Sequence, residues 1–429
     1  MNTGPQKIVL IGASVRPLIA SCLRANCVPV AFDFFADWDS RQLIRDSGCV
    51  DASLTKIGSY EDLLGYDWVE LGVAAVLVGG AELRADLVRS VGRQLPVLGT
   101  DAEGLAAVAD PVNWLSALQE SSCRIPETSC ELPETDTGWL LKRGGTCGGS
   151  GVRVAERKIA NQVATGSLGE YYFQKRIAGQ SLRAVLVSRR QNEREASVTF
   201  SLGCTRQWLV SDFSCSSENF DGLDDRPFTY CGSVGPVLMP ESVQQQINRI
   251  ATVLTERFGL QGVWGLDFVL DANGQVWPVD LNPRITASAE LFEATIAGAD
   301  SKFRSVLDVH LAACQLASSD GAAEFRKLHD RLGSSLLLRD CEMKRIVFFD
   351  GPGDVLIDEA KFEQLLRLHE PDFFYGNQPG ASIADVPRIG DRIDKGRPLL
   401  TIRSRAGNEV AAKALLGELL GCVQACLLR

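Results

Sequence analysis

Residues 262–284 read GVWGLDFVLDANGQVWPVDLNPR, and the reading of this stretch decides the rest of the chain. Two apolar runs rich in β-formers, Val263 to Leu270 and Gln275 to Leu281, flank Asn273-Gly274, the strongest short hairpin signal. With Asn273 and Gly274 as the central turn residues, Ala272 pairs with Gln275, and counting back sets Asp267 opposite Asp280. Alternation adds Asn282 to the same face, and Arg284 follows as the chain leaves the sheet. Like charges facing each other across strands are unfavourable unless a cation lies between them, and two carboxylates with an amide oxygen suit hard Mg²⁺. Alone, such a hairpin reads more simply as two solvated acids; its neighbours along the chain favour the metal.

Immediately upstream, Glu241 to Phe258 repeats Val243, Ile247, Ile250, Ala251, Leu254 and Phe258 at helical spacing, with Gly259 as its stop. Further back, Tyr171 to Ile177 is an apolar strand with a polar end, turned by Ala178 to Ser181 into a strand over Leu182 to Val187. Main-chain groups at such an end can read an adenine edge, although taken without its neighbours the segment reads as a plain hairpin. The short strand Trp139 to Lys142 runs into RGGTCGGSG over residues 143–151, with five glycines between Gly144 and Gly151. Successive backbone N–H groups there can turn toward phosphate oxygens, with Lys142 as a point charge; a flexible linker is the alternative. It is no Walker A loop, because Gly149 is followed by Ser150 and Gly151.

The first hundred residues read as a small parallel-sheet domain: strand Lys7 to Ile11, helix to about Arg24, then strands Val28 to Asp33, Ala74 to Val78 and Pro96 to Leu98. The turn GASVRP after the first strand lacks the GxGxxG fingerprint and so disfavours a dinucleotide. Asp101 to Gln119 is helical and leads to the connector Cys123 to Thr128. Past Arg284 a helix runs through Val306 to Leu316, and the composition shifts beyond Ser318-Ser319-Asp320-Gly321. Short strands follow at Arg345 to Phe349, Asp354 to Ile357 and Arg397 to Ile402. Residues 384–400 are similar to half of a biotinyl/lipoyl-type sandwich, without a modifiable Met-Lys pair, and a helix over Val410 to Leu428 closes the chain.

At 429 residues there is ample length for two to four structural units. The 54 acidic against 44 basic residues give a formal charge of −10, which argues against nucleic acid or an anionic membrane as the main partner. Thirteen cysteines form an odd set with no CxxC pair, and the N-terminus lacks the pattern of a signal peptide. Reduced thiols in a cytoplasm are expected. His310, His329 and His369 all lie beyond the hairpin, which disfavours histidine catalysis or a zinc site upstream of it.

Lys142, the glycine loop, the Gln174 to Ile177 edge and the D…DxNxR hairpin, in that order, resemble the ATP-grasp superfamily of ATP-dependent ligases, and most of all the predicted carboligases related to biotin carboxylase. The resemblance runs from Lys7 to about Leu316. It implies an α/β plus α+β architecture: an N-terminal Rossmann-like pre-ATP-grasp domain over 1–100, an ATP-grasp core over 101–318 with a glycine lid at 144–151, and a small β-rich C-terminal domain over 319–429. Carried over residue by residue, it implies that Lys142 contacts ATP phosphates and that Gly144, Gly145, Gly148, Gly149 and Gly151 close over them. Gln174 would meet the adenine amino group, with the Lys175 and Ile177 backbones beside it. Asp267, Asp280 and Asn282 would hold Mg²⁺ or Mn²⁺, and Arg284 would stabilise the transferring phosphoryl group or the substrate carboxylate. The chain departs from the family in having no lysine across Ala109 to Asn113, in placing Asp rather than Glu at both metal carboxylates, and in carrying Gln174 where an acid often stands.

The expected activity is an ATP-dependent carboxylate–amine ligation through an acyl phosphate, giving ADP and phosphate. The alternatives are a carboxylase-type carboligase and a catalytically degenerate nucleotide-binding protein. The partners are small-molecule acid and amine substrates, with a homodimer left open. The identities of acid and amine are not written in the motifs.

Overall fold

The computed structural model describes residues 5–131, 133, 137–156, 171–190, 197–212, 226–299, 302–314, 325, 327–331, 340–351, 353–371, 373 and 379–427. The N-terminal segment forms a parallel sheet of β1 (Lys7–Gly12), β2 (Val28–Asp33), β3 (Ser53–Lys56) and β4 (Ala74–Leu77), in the order β3-β2-β1-β4. Sequence periodicity missed β3, because SLTK is mostly exposed and carries no apolar run. Pro96 to Leu98 contributes a single bridge, Ala75 to Val97, rather than a strand. Helices α1 (Arg16–Arg24) and α2 (Trp38–Asp46) follow β1 and β2, and α3 (Ala85–Gly92) follows β4.

The helix expected over Asp101 to Gln119 is two helices, α4 (Ala102–Ala109) and α5 (Pro111–Glu120). Asp101 accepts from the Gly104 N–H and Asp110 from the Val112 N–H, and Pro111 at the first helical position cannot continue α4. A four-stranded sheet follows, ordered β5-β8-β6-β7, from β5 (Thr128–Ser129), β6 (Trp139–Arg143), β7 (Val152–Val154) and β8 (Tyr171–Lys175).

The centre of the molecule is an eight-stranded sheet in the order β13-β12-β9-β10-β11-β14-β18-β16. Its strands are β9 (Gln180–Arg189), β10 (Val198–Leu209), β11 (Tyr230–Val237), β12 (Gly262–Leu270), β13 (Val276–Asn282), β14 (Cys341–Phe348), β16 (Gly380–Ala384) and β18 (Pro398–Ala406). The sequence reading missed β10 and β11. The remaining pair, β15 (Asp354–Leu356) and β17 (Arg392–Asp394), lies apart. The boundary expected at 318/319 falls outside the described residues, and strands from both sides of it share this sheet through the antiparallel pairing of β11 with β14.

The helix Glu241–Phe258 ends where Gly259 turns left-handed at φ 64°, as expected. Its buried Ile247 and Leu254 pack in one core with Trp264 and Leu266 of β12. Each fully buried side chain of this kind contributes roughly 1.5–3 kcal/mol, so the hairpin is anchored on its far face. On the other side, Ile8, Leu10 and Val76 of the parallel sheet share a core with Val185, Val187 and Val263. His310 is buried there; its Nδ1 accepts from the Val263 N–H at 2.9 Å, and burial pulls its pKa down to about 4. It is a packing histidine.

The C-terminal part also docks onto the parallel-sheet domain. Asp39 of α2 accepts from the backbone N–H groups of Asp385 and Val386, each at 2.9 Å, and the Trp38 N–H donates to the Val386 carbonyl. The closing helix, Glu409–Leu427, is long and apolar enough by composition to cross a membrane, yet its Ala412, Leu416, Leu420 and Val423 pack against the sheet core. All twelve described cysteines are free thiols.

Candidate active site

Asp267 and Asp280 are direct cross-strand partners, but not by the route expected from the sequence. The Gly274 N–H and the Asp271 carbonyl close a wider turn, so Leu270 pairs with Val276 and Phe268 with Pro278, one residue out of the expected register. A bulge between Asp267 and Phe268 then skips Val279 and restores the register at the acids. Two offsets of one residue cancel.

Arg183 of β9 lies on the far side of Asp267 in the register, and its guanidinium binds both carboxylate oxygens, the Nη2 contact at 2.7 Å. Gln207 of β10 adds a donor to the same carboxylate at 3.3 Å. The Asp280 side chain borders the cleft between the two sheets and, among the described residues, accepts from the Asn282 side-chain amide at 3.2 Å. The protein crowded around it and then the Asp267 carboxylate push its pKa up to about 6, against the pull of Lys142, Arg183 and Arg284.

Lys142 reaches across from the smaller sheet and donates to the Val279 carbonyl at 2.9 Å. Burial lowers its pKa, partly offset by Asp280 and Asp267. The ammonium is therefore placed beside the carboxylate pair and ties the two sheets together.

Arg284 donates to the Asn282 amide oxygen at 3.2 Å, approaches the Cys147 sulfur at 3.8 Å, and pairs through Nε with Glu82. Glu82 sits in the turn after β4, is 5 % exposed, and also accepts from the Gly80 N–H at 2.9 Å. Burial works against the charge on Arg284, but Glu82 and Cys147 hold its pKa above the ordinary value. Neither Glu82 nor Arg183 was anticipated. Both could have been sought: Glu82 lies at the carboxyl end of a parallel strand, where ligands of α/β sheets bind, and Arg183 falls within an expected strand.

The glycine loop is docked over this floor. The Gly148 carbonyl accepts from the Tyr230 N–H at 2.9 Å, and Gly149, at φ 74°, lies so close to Phe228 that a Cβ there would stand 2.0 Å from its carbonyl oxygen. Under the loop is a cavity of about 130 Å³ lined by Gly144, Gly145, Cys147, Asp280, Asn282 and Arg284. Its outer wall is apolar, with Val108, Ala109, Pro111 and Trp114 in the region that lacks the further lysine. A second cavity of about 380 Å³ adjoins it, sharing Cys147 and Arg284 and reaching Lys344 and Asp37.

The expected adenine-reading residues lie elsewhere. Gln174 is 1 % exposed and its side-chain amide donates to the Thr128 hydroxyl at 3.3 Å. The Lys175 N–H donates to the Glu127 carbonyl, its ammonium sits 5.1 Å from the centre of the Trp139 ring, and Ile177 is half-buried just past β8. None of the three lines the cavity beneath the loop.

Asp280 and Asn282 offer hard oxygens on one wall, and a divalent cation there would relieve the crowding that raises the Asp280 pKa, so the donors fit Mg²⁺ or Mn²⁺. Asp267 fits less directly, because Arg183 already occupies both its oxygens. Among the described residues no cluster of three or more His, Cys, Asp or Glu side chains has metal-binding geometry, so the set rests on two carboxylates and an amide.

Residues 108–288 match the family model for the ATP-grasp domain. No protein of curated function matches the sequence. Solved structures do resemble it. An N5-carboxyaminoimidazole synthase from Aspergillus clavatus, in complex with ADP and 5-aminoimidazole ribonucleotide, has a TM-score of 0.63 at 14% identity, covering 98% of this chain and 99% of its own. An L-amino acid ligase from Bacillus licheniformis has a TM-score of 0.65 at 14% identity, covering 98% of each. The biotin carboxylase domain of the Hydrogenobacter thermophilus 2-oxoglutarate carboxylase, with MgADP and bicarbonate, has 0.63 at 12%, covering 94% of this chain and 86% of its own. Residues 108–288 thus match an ATP-grasp domain, and the whole chain, with its flanking N- and C-terminal parts, has the ATP-grasp fold.

Proposed function

We propose that the chain is a MgATP-dependent carboxylate–amine ligase that activates its acid as an acyl phosphate and releases ADP and phosphate. The observation that carries this reading is the meeting of the glycine loop with Asp280, Asn282 and Arg284 at one small cavity that opens onto a larger one. A carboxylate is a poor electrophile in water, whereas a mixed anhydride in a covered site reacts readily. In this assignment Lys142 and the N–H groups of Gly144 to Gly151 hold the phosphates. Asp280 and Asn282 hold the divalent cation, with Asp267 behind them; bound there, the cation offsets phosphate charge. Arg284, at the junction of the cavities, orients the acid and stabilises charge on the oxygens of the transferring group. Glu82 fixes the plane of that guanidinium.

The alternative, bicarbonate as the acid, draws support from the fold likeness to the biotin carboxylase domain. Either way the nucleotide product is ADP. The test is trapping: with MgATP, a panel of carboxylic acids and hydroxylamine, one acid should yield hydroxamate and ADP in equal amounts. AMP and pyrophosphate as products would mean adenylate chemistry and overturn the reading.

A further inference from the structure

The larger cavity is lined by four acidic side chains, Asp37, Glu290, Glu293 and Asp385, and by two basic ones, Arg284 and Lys344. Five of the six are matched by protein groups. Glu290 is paired with Lys344, with Arg16 at 3.1 Å and with Arg403 at 3.2 Å. Burial opposes its charge, but those three cations outweigh burial and hold its carboxyl well below the usual range. Glu293 meets Arg24 at 3.3 Å, Asp385 meets Arg16 at 2.6 Å, and Arg284 meets Glu82.

Asp37 stands apart. It is 8 % exposed and precedes α2 without capping any N–H of that helix. Among the described residues, no hydrogen bond or ion pair reaches its carboxylate, and Asp37 is one of the residues lining the cavity. An ionised group in such a place is costly unless something outside the protein meets it. Burial raises its pKa, and the carboxylates of Asp385, Asp39 and Asp33 add to the shift against Arg16. Much of the remaining wall is apolar, including Pro17, Leu18, Val306, Ile346 and Leu399.

We propose that Asp37 is the docking point for a primary ammonium group, so that the larger cavity takes an amine-bearing substrate with an apolar body rather than a phosphorylated one. This rests on the ligase reading and deepens it by naming a substrate class. An ammonium has three donors to give and finds the one carboxylate in the wall that lacks a partner. A phosphate would have to take Lys344 from Glu290 while facing three further carboxylates, Asp37, Glu293 and Asp385. The cavity differs in this from what a ribonucleotide, as held by the Aspergillus enzyme, would require. The ammonium can belong either to the acid, making it an amino acid, or to the amine nucleophile.

The experiment is a thermal-shift titration without ATP on the full chain and on Asp37→Asn. The probes are the twenty standard L-amino acids, the alkylamines from butylamine to hexylamine, the matching carboxylates without an amine, and ribose 5-phosphate. At least one ammonium-bearing probe should stabilise the parent, and Asp37→Asn should weaken that binding about tenfold or more. The amine-free acids and ribose 5-phosphate should shift the parent little. Because Asp37 caps nothing, the ligand-free variant should melt no lower than the parent. ADP formation from an amino acid alone assigns the ammonium to the acid; ADP formation that needs an alkylamine together with an amine-free acid assigns it to the nucleophile. The proposal is overturned if no ammonium-bearing probe binds, if ribose 5-phosphate binds best, or if Asp37→Asn keeps its affinity. Ammonium binding that depends on Asp37, with no ADP from any mixture, would count against the ligase reading alone.

Discussion

Arg284 at the end of the hairpin is bound to Glu82, which the chain supplies 202 residues earlier from the parallel-sheet domain. The same guanidinium contacts Asn282 and Cys147, so hairpin, glycine loop and N-terminal domain meet on one cation. A planar fork can hold such divergent partners at once, and an ammonium cannot.

Removal of the Glu82 charge should therefore be felt in both stability and turnover. Glu82→Gln leaves a buried guanidinium without its anion, and roughly 3 kcal/mol of stability should be lost in denaturant unfolding. MgATP should recover part of it by giving Arg284 a phosphate to pair with. A loss below about 1 kcal/mol would show that the pair does not hold the arginine.

The Asp280 carboxyl, raised to about 6 in the folded chain, makes a signed prediction about pH. Between its unfolded value of about 3.9 and about 6, the folded state binds more protons than the unfolded state, so stability without ligand falls as pH rises through that window. Asp280→Asn should remove this slope and be at least as stable as the parent at pH 7. A divalent cation competes with the proton, so the ATP-dependent gain in Tm that requires Mg²⁺ should grow as pH rises through about 6 and be absent in the variant. Thermal shifts from pH 5 to pH 8 measure both, and a gain that survives Asp280→Asn would remove the hairpin from the metal site.

Two adjacent glycines should behave differently. Gly148 has φ 65° and open space around it, so Gly148→Ala carries backbone strain of about 1–2 kcal/mol and no clash. Gly149→Ala places a methyl against the Phe228 carbonyl and must lift the loop. Its kcat should drop about tenfold or more with little change in Tm, since loop docking shields the reacting groups from water while the core lies elsewhere. Equal kcat losses in the two variants would show that backbone freedom, not docking, is what the loop requires.

Much of this site was legible because its chemistry is concentrated in short segments. The hairpin residues, the glycine loop and Lys142 lie within stretches whose turns and alternation declare themselves. The partners were illegible for a physical reason: Glu82, Arg183 and Gln207 act through register and docking, which no local pattern encodes. The hairpin shows the limit most clearly. Asp267 was placed opposite Asp280 from a two-residue turn that does not form, and a bulge at Phe268 supplied the missing residue. The helix break at Asp110-Pro111 was readable in principle, since an aspartate before a proline is both a cap and a stop. Strands β10 and β11 were hidden because their polar residues, such as Thr205, Gln207 and Ser233, face a buried charged interior and spoil the apolar alternation.

The pairing of β11 with β14 also governs how the polypeptide can be divided. A fragment ending near residue 318 would retain the glycine loop and the hairpin but leave the length of β11 as a bare edge, its N–H and C=O groups open to any other strand. It would also strip Lys344 and Arg403 from Glu290, turning a neutralised carboxylate into a buried anion with Arg16 alone to answer it. The last hundred residues therefore cover a strand edge that the ATP-grasp portion would otherwise expose, and a fragment trimmed to the motif-bearing segment is expected to self-associate.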